Sequence, residues 1–119
     1  MGLDAYAYTL AYEPEQGVDF SVPQGDATLF FQWRKNWDLQ EMMAMIYFDK
    51  GGQDDIFNCA KVVLDEDDLA YLEECIREAD YAYEYPDDRE LERERDLNFV
   101  KLAKEKIRQG LTVFYDSWW

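Results

Sequence analysis

From Asp88 to Gln109 the chain runs without proline or glycine, and Leu91, Leu97, Val100, Ala103 and Ile107 recur at helical spacing. Acidic residues open this segment, Lys104, Lys106 and Arg108 close it, and Gly110 follows. That is the charge and stop pattern of one long helix. A helix with a single apolar face needs a partner layer to cover it. The next residues offer one: Leu111 to Tyr115 alternate and carry Thr112 and Val113, which reads as a strand.

The other predicted elements are shorter. Residues 3–12 are rich in tyrosine and poor in charge and read as a strand, whereas Pro14 to Gly25 reads as a loop with an extended piece at Phe20-Ser21-Val22. Residues 27–36 fit either a strand or the first turn of a helix. Asp38 is the expected N-cap of a helix from Leu39 to Asp49, closed by Gly51, with Leu39, Met42, Met45 and Ile46 inward. Phe57 to Leu64, with Val62-Val63, reads as a strand. Asp65 then caps a helix, and Asp68 gives an acidic version of the capping box. Leu69, Leu72, Ile76 and Ala79 form its apolar face, with Cys75 beside them. Tyr81 to Pro86 interrupts the pattern. The expectation is one α+β domain over residues 1–119, an antiparallel sheet of three to four strands packed by three helices.

Charge narrows the function classes. The 119 residues hold 27 acids against 12 bases, a net charge of −15, yet nine Tyr, seven Phe and four Trp argue against a disordered acidic chain. Non-specific affinity for nucleic acid and for anionic membranes rests on Lys and Arg, so neither direct nucleic-acid binding nor a membrane partner is expected. No apolar run approaches the roughly 20 residues that span a bilayer. The acids are unevenly placed: Asp54 to Asp88 carry 13 acids and two bases. The plain reading is a solubilising surface. The sharper one is a segment that meets a basic groove, including one that normally holds DNA or RNA.

The residues that usually carry chemistry are scarce. There is no histidine, which removes the commonest general base and most zinc sites. Cys59 and Cys75 are too far apart for a CxxC motif and read as packing residues, and two cysteines without a basic, apolar leader fit a reducing cytoplasm. Gly51-Gly52 ends a helix and is no phosphate loop. Asp65, Asp67 and Asp68 resemble a hard-cation cluster, but they lack the glycine and distal glutamate of a calcium loop, and capping explains them. No metal, cofactor or catalytic residue is therefore expected.

Four short pieces, in order along nearly the whole chain, carry a resemblance: Gly2-Leu3-Asp4 before a Tyr-rich strand, Trp33-Arg34-Lys35, Phe57-Asn58-Cys59 and the terminal Ser117-Trp118-Trp119. The set is similar to a family of small proteins of tailed bacteriophages and prophages. Some relatives bear the label phosphoglycerate kinase, which does not suit a chain this short with no nucleotide-binding motif. Relatives commonly read Trp-Arg-Lys-His-Asn and then Leu-His-Gly-Trp. Here Asn36 stands at the first histidine, and Gln40-Glu41-Met42 replaces His-Gly-Trp. The resemblance implies a phage protein at work in the host cytoplasm, and the missing histidines move weight from catalysis to binding, or equally point to a structural role for the matching region.

The leading expectation is a non-enzymatic inhibitor or modulator that binds a basic surface of a host protein, such as a nucleic-acid enzyme or defence complex, in the manner of a nucleic-acid mimic. Asp54, Asp55, Asp65, Glu66, Asp67, Asp68, Glu73, Asp87 and Asp88 are the expected contact acids. Tyr83, Tyr85, Trp118 and Trp119 are the expected aromatic anchors, since Trp and Tyr are enriched at binding hot spots. Two alternatives stand beside it. One is a structural phage protein acting as a homodimer. The other is a small ligand-binding protein or enzyme with a pocket near Asp4, Tyr6, Trp33 and Arg34, where Lys35 and Asn58 complete the family-like segments.

Overall fold

Strands β1 (Asp4–Leu10) and β4 (Thr112–Trp118) pair along their full length at the centre of an antiparallel sheet. In the computed structural model, which describes residues 2–81 and 86–119, β2 (Thr28–Arg34) flanks β1 and the three-residue β3 (Val62–Leu64) flanks β4, giving the order β2-β1-β4-β3. Helices α1 (Trp37–Asp49), α2 (Glu66–Glu78) and α3 (Pro86–Arg108) complete the α+β fold. None of the described helices is long and apolar enough to cross a membrane.

Strand alternation sorts the side chains into two clusters. Ala5, Ala7, Trp33, Val113 and Tyr115 face the helices, joining Leu39, Met43, Ile46, Leu69, Leu72, Ile76, Phe99, Val100 and Ala103 in one core. The small alanines of β1 leave room for Trp33, whose ring meets Phe99 at 4.7 Å between centroids. On the opposite face Leu10, Phe20 and Phe114 form a second, smaller cluster, with Tyr8, Val22 and Val63 packed against it.

Several expectations need correction. Of the two readings left open for residues 27–36, the strand is the one formed, over 28–34, with a register shift at Ala7/Tyr8 that brings both Phe30 and Phe31 near Phe99. Helix α1 starts earlier than expected because Asn36, not Asp38, is its N-cap: the Asn36 Oδ1 accepts from the Leu39 amide at 3.0 Å. Its inward stripe is Leu39, Met43, Ile46 and Tyr47, leaving Met42 half-buried and Met45 exposed. Only 62–64 of the expected 57–64 strand pairs in the sheet, since Phe57 and Cys59 take left-handed backbone angles (φ 49° and 58°) incompatible with a ladder. Leu91 points outward, 64% exposed. In its place Glu92 and the fully buried Asp96 take the inward positions of α3. The capping box at Asp65 and Asp68 is as expected, both reciprocal bonds measuring 2.9 Å.

Candidate functional site

The segments around Leu3, Trp33, Phe57 and Ser117 meet at one end of the sheet, where these four side chains are buried. Trp33 Nε1 donates to Asp96 Oδ1 at 2.9 Å, and Tyr81 donates its hydroxyl to Asp96 Oδ2 at 2.6 Å. Asn36 Nδ2 reaches both Asp96 oxygens (3.2 and 3.0 Å) and Glu92 Oε1 (2.8 Å). A buried carboxylate is tolerable only when its lone pairs are satisfied in this way. Burial still pushes the Asp96 carboxyl above its ordinary range, and burial together with the charge of Asp96 does the same to Glu92. Burial and the Asp96 charge also push the Tyr81 hydroxyl up, so it stays a donor at any ordinary pH.

Gln40 is held as firmly. Its amide nitrogen donates to the Phe57 carbonyl (3.1 Å) and Ser117 Oγ (2.9 Å), and its oxygen accepts from the Tyr115 hydroxyl at 2.5 Å. Asn36 and Gln40 are thus both buried, with their side-chain amides engaged. The Asn58 side chain pairs with the Trp119 backbone at 2.9 and 3.0 Å, and Trp119 Nε1 donates to the Phe57 carbonyl at 3.1 Å. Phe57-Asn58-Cys59 and Ser117-Trp118-Trp119 therefore clasp each other.

What these segments leave at the surface is slight. Arg34 contacts Asp4 at 3.4 Å with its own side chain 83% exposed, an ion pair of little energetic weight. A hollow of about 330 Å³ is lined by Gly2, Leu3, Asp4, Arg34 and Lys35, but neither Tyr6 nor the buried Trp33 lines it. Of the terminal indoles, Trp119 folds back against Trp37 (5.5 Å between ring centroids), whereas Trp118 is 62% exposed on the face opposite the helices.

The acids are organised at another place. Three adjoining hollows, of about 620, 620 and 570 Å³, run along the 10–22 loop and share Gln16. The first of them has an apolar floor made of Val63, Leu64, Ile107, Leu111 and Val113. Five carboxylates, Glu13, Glu15, Asp65, Glu66 and Asp67, line this same hollow, and Asp19 and Asp54 line its neighbours. Lys50 is the one cation among the lining residues, and its charge is already committed. Its ammonium contacts Asp68, lies 3.8 Å from Asp65 and donates to the Val63 carbonyl at 2.6 Å. Tyr47 braces one wall, donating to Asp19 at 2.5 Å and accepting from the Asp54 amide at 2.7 Å.

The expected contact acids divide on this geometry. Glu66 and Asp67 are exposed at the groove and Asp54 lines it, while Asp55 and Asp88 are exposed elsewhere. Asp65 and Asp68 are turned onto the α2 cap and Lys50. Burial raises both carboxyls, but at Asp65 the Asp68 amide and Lys50 more than offset it, so Asp65 lies below its ordinary range and Asp68 above. Glu73 is half-buried and paired with Lys104 of α3 (3.3 Å) and with the exposed Arg77 of its own helix (3.6 Å). Tyr83, Tyr85 and the Asp87 side chain lie outside the described residues. Glu13, Glu15 and Asp19 escaped the sequence reading because they fall outside the densest acidic stretch; their proximity to Pro14 and Gly17 in a loop was the available signal. Among the described residues, no group of His, Cys, Asp or Glu side chains is arranged to hold a metal ion. Comparison with protein-family models, curated proteins and solved structures returns no match.

Proposed function

We propose that this chain is a non-enzymatic interaction protein whose acidic groove docks a basic surface of another protein. The observation that carries the reading is the groove itself: five carboxylates around an apolar floor, two more in the adjoining hollows, and the one lining cation neutralised from within. Acids that served solubility alone would be equally effective on convex surface. Set around a hollow, their fields add and focus on an entering Lys or Arg, and the apolar floor takes the aliphatic stems of those side chains. A row of carboxylates is also the charge pattern that a DNA- or RNA-binding surface is built to meet. With the resemblance to tailed-phage proteins, this favours a phage-encoded modulator of a host nucleic-acid enzyme or defence complex, acting in the host cytoplasm.

Titration with decalysine, followed by amide NMR shifts, tests the docking mode. Shifts concentrated at residues 13–19, Asp54 and 65–67, weakened by Glu13→Gln/Glu15→Gln/Glu66→Gln, are expected. Shifts spread evenly over every exposed acid would overturn it. The exposed Trp118 favours a second reading, a homo-oligomer joined through aromatic surface. A solution mass of one chain at high concentration would sink that alternative.

A further inference from the structure

Helix α1 carries more apolar residues than the core can take. Leu39, Met43, Ile46 and Tyr47 face inward, which leaves Met45 59% and Phe48 46% exposed, three residues apart on one outer face. Tyr71 of α2, 41% exposed, extends this surface across the helix pair, its hydroxyl 4.0 Å from the Met45 sulfur. Single exposed apolar residues are ordinary, but a patch continuous over two helices marks a contact surface. Methionine adapts to irregular partners and tyrosine is a frequent anchor, which suits docking.

The rim of the patch selects its occupant. The helical neighbours of Met45 include Glu41 and Asp49, those of Tyr71 include Asp67 and Glu74, and no base stands at three or four residues from Met45, Phe48 or Tyr71 on its own helix. A second copy of this chain would set acid against acid across the contact, at a net charge of −15 for each copy. Asp67 belongs both to this rim and to the acidic groove, so the two surfaces are continuous.

We infer that the α1–α2 face docks an amphipathic basic helix of the partner protein. Its apolar stripe lies on Met45, Phe48 and Tyr71, and its flanking Lys and Arg meet Glu41, Asp49, Asp67 and Glu74. The inference rests on the proposed reading, in that it takes the partner to be basic, and adds what kind of element the partner offers.

The test titrates the full chain with two 18-residue peptides of one Leu/Lys composition, one with its leucines at i, i+3, i+4 and i+7, the other scrambled. The striped peptide is expected to bind about tenfold tighter, with amide shifts at 45–49 and 67–75. Met45→Ser/Phe48→Ser removes that preference without changing charge, while retained dispersion of the spectrum shows the fold intact. The groove variant Glu13→Gln/Glu15→Gln/Glu66→Gln weakens both peptides and keeps the preference. Equal binding of the two peptides, unchanged by Met45→Ser/Phe48→Ser, overturns the inference and leaves the groove reading standing. A preference that persists while the groove variant binds both peptides like the parent overturns the groove reading alone. A dimer that Met45→Ser/Phe48→Ser dissolves would mean that a second copy covers this face, and the inference would fall.

Discussion

Tyr81→Phe isolates the hydrogen bond that stabilises the buried Asp96 carboxylate, because it removes one oxygen and leaves the ring in place. The bond is short (2.6 Å), both residues are buried, and the acceptor is a carboxylate. A hydrogen bond to a charged group contributes about 1.5–3 kcal/mol, and with both partners buried the loss should fall in that range. Unfolding entropy of about 2.1 cal/mol/K per residue gives roughly 0.25 kcal/mol/K for 119 residues, so the midpoint should fall by about 6–12 °C.

The pH dependence has a definite sign. Burial raises Asp96 above 3.8, against hydrogen bonds from Tyr81, Asn36 and Trp33 that lower it. A raised folded-state value means that the Asp96 contribution is fully present below the ordinary carboxylate value and is lost as pH rises through the raised one. Without the Tyr81 hydroxyl the raised value climbs further. The penalty of Tyr81→Phe is then larger at pH 8, where more of Asp96 is ionised, than at pH 5.5. Urea denaturation of both proteins at the two pH values measures it. A loss under about 0.5 kcal/mol at pH 8, the size of an ordinary surface substitution, would refute this account of the network.

Three further substitutions probe other parts of the fold. Asp65→Ala removes the α2 N-cap and should cost about 1 kcal/mol in urea denaturation, less any relief of acidic repulsion. At Gly52 a Cβ would sit 2.3 Å from the Tyr47 ring, which Asp19 and Asp54 hold in place, so Gly52→Ala should destabilise by about 1–3 kcal/mol. Asn58→Ala unclasps the C-terminal strand end, with a cost of about 1–2 kcal/mol and a red shift of tryptophan emission as Trp119 gains water.

The fold was legible where hydrophobic period and end signals agreed. Asp65 and Asp68 announced α2, and Gly110 with Thr112-Val113 announced the turn from α3 into β4. The period failed in α1 because residues 42–48 are all apolar, so no spacing distinguishes the inward Met43 and Tyr47 from the outward Met45 and Phe48. It failed at the start of α3 for the opposite reason. The inward stripe there is Glu92 and Asp96, and a hydrophobic pattern shifts to the neighbouring Leu91. The 57–61 segment reads as a strand from its side chains, but its backbone is bent to hold the C-terminal tail.

The candidate site was legible only in its charge. An acidic stretch is visible in sequence, but which acids face a common hollow depends on the 10–22 loop lying beside β3 and the start of α2. Glu73 looks identical to Glu66 and Asp67 until its partners Lys104 and Arg77 are seen. The segment around Trp33 was ambiguous between site and packing, since the acceptor that Trp33 and Asn36 bond lies 63 and 60 residues away.

The central claim, that the groove docks a basic protein surface, is tested most directly by capture from bacterial lysate. The tagged chain and its Glu13→Gln/Glu15→Gln/Glu66→Gln variant are compared side by side at low and moderate salt. The account predicts a partner held by the parent chain, released as salt rises and not held by the variant, which still folds. Identical captures by both proteins at both salt levels would contradict it.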